Sequence, residues 1–193
     1  MVETFSWDDS RLSEHADAAI KLFRKEHQTK VSPYHQLKLD WPDAEHSLRV
    51  LFSYISAGLI DEEQGRPLIY MAACDALDAH NKAVLETRTD PLRMIIFLRV
   101  LLQTALPRLT TIRVVSAKGD VWRANQPEPL TEWATRQGPG LKVEDADALP
   151  YNEVYAAVVG HAITERQASV IKAYYGNPDT DIVEQMKALD DPE

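Results

Sequence analysis

A single cysteine, Cys74, occurs in the 193 residues, so no internal disulfide is available and a reducing compartment is implied. Cys74 stands among Ala72, Ala73 and Ala76, where a small buried filler is expected rather than a reactive thiolate. The first nine residues lack a basic start followed by an apolar run, so no signal peptide is expected and the protein is read as cytoplasmic. Gly-x-Ser-x-Gly is missing, and so is a phosphate-cradling glycine loop, since Gly138 and Gly140 only flank Pro139. The histidines at 15, 27, 35, 46, 80 and 161 never stand four apart, and no Glu precedes a His by three. That spacing excludes the helical zinc-protease and di-iron signatures. No metal, cofactor or catalytic residue is assigned.

The chain is organised around Asp90 to Pro107. Asp90 and Pro91 are suited to open a helix, the first as a cap and the second at a position where no N–H is needed. Between Leu92 and Leu106 only Arg93, Arg99, Gln103 and Thr104 are polar, so apolar side chains point nearly all round the helix. A spanning helix needs about 20 apolar residues. Two arginines and Pro107 prevent that here, leaving a buried core helix and no membrane association. The expected fold is mainly α: a helical bundle around a central helix at about 91–106, with one small β-hairpin at about 110–124.

The other elements follow from apolar spacing. Leu12, Ala16, Ala19, Ile20, Phe23 and His27 predict a helix over 8–27, followed by a polar stretch to Trp41. Pro42 opens a second helix bearing Leu48, Leu51, Phe52 and Ile55, with Gly58 as its stop. A third runs from about Pro67 to Glu86, with Ile69, Ala73, Ala76, Leu77, His80 and Val84 on one face. Thr110 to Val115 is β-branched and alternating, Lys118-Gly119-Asp120 is turn chemistry, and Val121 to Arg123 is the return strand. Its Thr111–Val115 edge is a place for a homodimer to form. A short helix covers 130–136. The acid- and breaker-rich stretch 137–150 is a linker or long loop, and helices resume over 151–162, 164–175 and 179–189. The division is thus a 1–136 core domain, a 137–150 linker and a 151–193 acidic subdomain.

Charge carries the functional information. Of the net −9, residues 117–193 hold −7, from seven Lys/Arg against fourteen Asp/Glu. By contrast, residues 88–116 hold Arg88, Arg93, Arg99, Arg108 and Arg113 with one acid, Asp90. Arginine suits fixed or partly buried pairing, so these five are expected to pair with the acidic third or, alternatively, to form an anion site. Asp75, Asp78 and His80 are the nearest approach to an acid/base cluster, but His80 falls on the apolar stripe, where a buried, hydrogen-bonded histidine is expected. His161 and Glu165 stand four apart with a helix cap, Thr164, between them.

Ile163-Thr164-Glu165-Arg166-Gln167-Ala168-Ser169-Val170-Ile171-Lys172-Ala173-Tyr174-Tyr175-Gly176, with Asp181-Ile182-Val183-Glu184-Gln185-Met186, resembles the first two helices of a sigma-factor region-4 helix-turn-helix. The resemblance covers about 27 residues and implies a transcription regulator or nucleic-acid binder with a degenerate motif at 163–189. The matched residues stop short of the helix that, in that family, enters the major groove. Residues 144–193 carry three basic and eleven acidic residues, a balance that repels phosphates and disfavours nucleic acid as partner.

The expected function is a non-catalytic protein-binding regulator, inhibitor or adaptor, in the manner of phage or plasmid inhibitors and toxin immunity proteins. Its acidic C-terminal face, Glu144, Asp145 and Asp147 with Tyr151, Tyr155, Tyr174 and Tyr175, would dock on a basic protein surface. The alternatives are the nucleic-acid binder above and an enzyme with a site of Asp and Arg dispersed over several helices.

Overall fold

A computed structural model describes residues 3–5, 21, 33–56, 62–103 and 106–188. The fold is mainly α, with a small antiparallel sheet. The helices are α1 (Pro33–Asp40), α2 (Ala44–Ser56), α3 (Glu62–Leu85), α4 (Asp90–Gln103), α5 (Leu106–Leu109), α6 (Leu130–Gln137), α7 (Tyr151–Ala162), α8 (Glu165–Tyr175) and α9 (Ile182–Ala188). The strands are β1 (Glu3–Phe5), β2 (Ile112–Val115), β3 (Val121–Trp122) and β4 (Leu141–Asp145), in spatial order β1-β4-β2-β3.

The apolar rod is inside, as its composition requires. Met94, Ile95, Phe97, Leu98, Leu101 and Leu102 of α4 are fully buried. Each is worth roughly 1.5–3 kcal/mol relative to an exposed position. One buried cluster joins them to Leu37 and Trp41, to Ile112 and Val114 of β2, and to Val154, Val158 and Ile171 of α7 and α8. Helix α3 packs along α4 and against α1, and α8 also contacts α4. Asp90, expected as a cap, directs its carboxylate to the Arg93 guanidinium.

The hairpin lies where alternation places it, with Val114 opposite Trp122 and Val115 opposite Val121. Gly119 supplies the positive φ (89°) of its turn, while Ser116 Oγ accepts from the backbone N–H groups of Lys118 and Asp120. The expected free edge at Thr111–Val115 is overturned. Strand β4 pairs with β2 along that side, Arg113 facing Glu144 and Val114 facing Val143, so this edge is not open to a second copy.

Three further differences concern local structure. The stretch 137–150, expected as a linker or loop, contains β4: Leu141 and Val143 alternate inward with Lys142 outward, a period-2 signal that Gly138-Pro139-Gly140 and the acids obscured. The polar stretch before Trp41 contains α1, which Pro33 opens at the first helical position. Among its described side chains only Leu37 is a buried apolar anchor, and the segment shows no apolar periodicity to detect. Helix α3 spans Glu62–Leu85, so it includes Glu62, five residues before Pro67. The expected 8–27 helix lies outside the described residues, Lys21 apart, as do the Gly58 stop and the side chains of Leu51, Phe52, Ile55, Ile69 and Ala73.

Candidate functional site

The C-terminal helices carry an exposed face. Thr164 caps α8 by accepting from the Gln167 backbone N–H at 3.2 Å, and Gln167 Oε1 accepts from the Thr164 backbone N–H at 2.7 Å. Gly176, at φ 70°, closes the helix in the left-handed conformation. Between these ends Gln167 and Ile171 face the core. The opposite face shows Glu165, Arg166, Ser169, Val170, Ala173 and Tyr174 to solvent. Val170 and Tyr174 lie one turn apart, 41% and 44% exposed. The following turn and α9 add the exposed acids Asp179, Asp181 and Glu184. Asp181 caps α9 through the Val183 and Glu184 N–H groups, and Glu184 holds Lys187 at 2.8 Å.

The structure divides the sequence-derived docking residues among different environments. Glu144 pairs with Arg113 at 2.8 Å, and Asp145 with Arg108 at 2.9 Å. The backbone carbonyl of Asp147 accepts from Arg123 at 2.6 Å, while its side chain is exposed. Tyr155 is buried and stacks on the exposed Tyr151, ring centroids 6.1 Å apart. Tyr174 and Tyr175 form an edge-to-face pair at 5.0 Å. Burial and the neighbouring Tyr174 raise the Tyr175 phenol above its ordinary value.

The remaining arginines do not converge on one anion site. Arg88 pairs with Glu86 at 3.5 Å on the surface, Arg99 is half-buried, and Arg93 turns to Asp40 and Asp90. Asp75 and Asp78 are exposed on α3, away from the buried His80. Among the described residues no group of three or more His, Cys, Asp or Glu is placed to hold a metal ion, and no helix is long and apolar enough to cross a membrane.

Sequence spacing missed two buried polar junctions. In the first, His161 donates from Nε2 to the Gln126 carbonyl at 2.8 Å, because a carbonyl only accepts. Its Nδ1 therefore accepts from the Tyr54 hydroxyl at 3.2 Å. Burial holds the imidazole below its ordinary pKa and pushes the Tyr54 phenol far up. Nearby, His46 and Ser47 in the first turn of α2 donate to the carbonyls of His161 and Ala162, which end α7. A helix C-terminus with unpartnered carbonyls is thus satisfied by the side chains of another helix. His161 does not pair with Glu165, which is exposed.

In the second junction His80, fully buried, contacts Asp40 Oδ2 from Nε2 at 3.1 Å. Arg93 reaches the same oxygen at 2.8 Å, and Gln36 donates to Oδ1 at 2.8 Å. The Trp41 indole donates to the Asp90 carbonyl at 3.1 Å. Both junctions tie residues 40 or more positions apart, and no local signal announces either.

No protein-family model matches the chain, and neither a curated protein nor a solved structure matches it.

Proposed function

We propose that the protein is a non-catalytic protein-binding regulator, inhibitor or adaptor whose α8–α9 face docks on a basic surface of another protein. The carrying observation is the exposed Val170–Tyr174 pair, one helical turn apart and neighboured by Glu165, Asp179, Asp181 and Glu184. Apolar and aromatic anchors supply affinity to a docking face and charge supplies encounter rate, and the four acids here outnumber Arg166, Lys172 and Lys187 of the same segment. Glu144 and Asp145 are already engaged by Arg113 and Arg108, which narrows the face to the terminal helices. The same two pairs, with Arg93 held by Asp40 and Asp90, leave less support for a phosphate-binding or dispersed Asp/Arg site.

Affinity capture with the full chain tests this. A basic partner is retained by the wild type, weakens as salt rises, and is lost by V170K/Y174K while the circular dichroism is unchanged. Equal capture by the wild type and that variant would refute the α8–α9 face.

A further inference from the structure

The Asp40–His80–Arg93 junction joins α1, α3 and α4 through one carboxylate oxygen. Asp40 accepts and does not donate, so the neutral His80 ring carries its proton on Nε2. The Nδ1 atom is then a lone pair, buried and without a hydrogen-bond partner. Oδ1 accepts from Gln36 and Oδ2 from both His80 and Arg93, so the Asp40 carboxylate already serves three donors. Among the described residues the charges acting on the ring are Asp40 of α1 and Arg93 and Asp90 of α4, and α2, also packed on α3, adds no further one. On α3 itself Asp75, Asp78 and Lys82 face solvent.

We propose that this junction is an acid-sensitive latch, and that protonation of His80 releases α1 from α3 and α4. The added proton goes to Nδ1, where the fold offers no acceptor, and it places a second cation on the oxygen that Arg93 already occupies. A buried donor with no acceptor favours opening, as does the cost of burying the imidazolium, while Asp40 and Asp90 favour the charged ring against Arg93. The other buried histidine has a way out. Tyr54 donates to His161 Nδ1 in the neutral state, and its hydroxyl can turn to accept once that nitrogen is protonated. The His161 junction can therefore keep a hydrogen bond at Nδ1 when the ring is protonated, which the His80 junction cannot. Opening exposes the buried Leu37 and Trp41, which precede and follow Asp40 in the chain.

The test combines ring NMR with hydrogen exchange of the Trp41 indole N–H, whose acceptor is the Asp90 carbonyl. In the full chain, His80 is expected to titrate below the ordinary histidine value. Trp41 protection is expected to fall by about tenfold per pH unit below pH 6. H80Q keeps a side-chain N–H for Asp40 but does not titrate, so its Trp41 protection stays flat. The latch is overturned by an identical acid-dependent loss in H80Q, or by wild-type Trp41 protection that stays constant while His80 titrates. If H80Q fails to fold, coincidence of the His80 and Trp41 midpoints in the wild type supports the latch and their separation overturns it.

Discussion

The Tyr54 hydroxyl lies 3.2 Å from His161 Nδ1, a bond that spans 107 residues and ties the last turn of α2 to the last turn of α7. Because the Gln126 carbonyl fixes the ring proton on Nε2, this hydroxyl is the partner that Nδ1 requires. Tyr54→Phe leaves a buried acceptor unsatisfied and is expected to cost about 1–3 kcal/mol in urea unfolding. A neutral result would mean that the ring is oriented by Gln126 alone.

Stability should fall between pH 7 and pH 5. His80 and His161 both have folded pKa values below the unfolded one, chiefly through burial. Under these conditions the unfolded state binds more protons than the folded state. Their contribution is therefore complete above the unfolded histidine pKa and is lost as pH drops towards the folded values. Urea midpoints measured across this range, in the wild type and in a chain carrying H80Q, separate the His80 share from the remainder.

Leu101, fully buried on α4, contacts the core rather than any site. Leu101→Ala should cost about 2–5 kcal/mol, seen as a lowered unfolding midpoint, because it removes buried methyl groups and leaves a cavity.

The sheet pair Arg113–Glu144 is 45% and 29% exposed at its side chains. A double-mutant cycle over the two positions should return a coupling below about 1 kcal/mol, since exposed ion pairs gain little over their hydration. A larger coupling would show that charge, and not the neighbouring Val114–Val143 pair, sets the β2–β4 register.

Thr164→Ala removes the Oγ1 that accepts from the Gln167 N–H and contacts Asp43 Oδ2 at 3.4 Å. A loss of about 0.5–2 kcal/mol is expected from the cap alone. Thr164→Ser, which keeps the oxygen, should restore most of it. Thermal unfolding followed at 222 nm reads both variants.

What the sequence disclosed was what repeats along it. The all-round apolar character of Leu92–Leu102 required burial, and the Thr-x-Ile-x-Val alternation required a strand. The cap at Thr164 and the stop at Gly176 bounded α8 within a residue. Features that need two distant segments were not legible. Strand β4 is short and acidic, and becomes a strand by lying between β1 and β2. His80 could be placed in the core by its stripe, but its partner Asp40 belongs to a helix whose sequence shows no apolar periodicity. The arginines were legible as residues needing carboxylates. Arg108 and Arg113 found theirs in Asp145 and Glu144 of the acidic third, while Arg93 took Asp40 and Asp90.

Strand β4 also has a temporal consequence. Glu3 meets Val143 and Phe5 meets Leu141, so the first strand made must wait for some of the last to leave the ribosome. At 5–20 residues per second that delay is on the order of 10 s, during which β1 has no neighbour and the sheet has no closing ribbon. Helices α3 and α4 are adjacent in sequence and can associate meanwhile, so a preformed helical nucleus onto which the sheet zips last is the expected order of assembly.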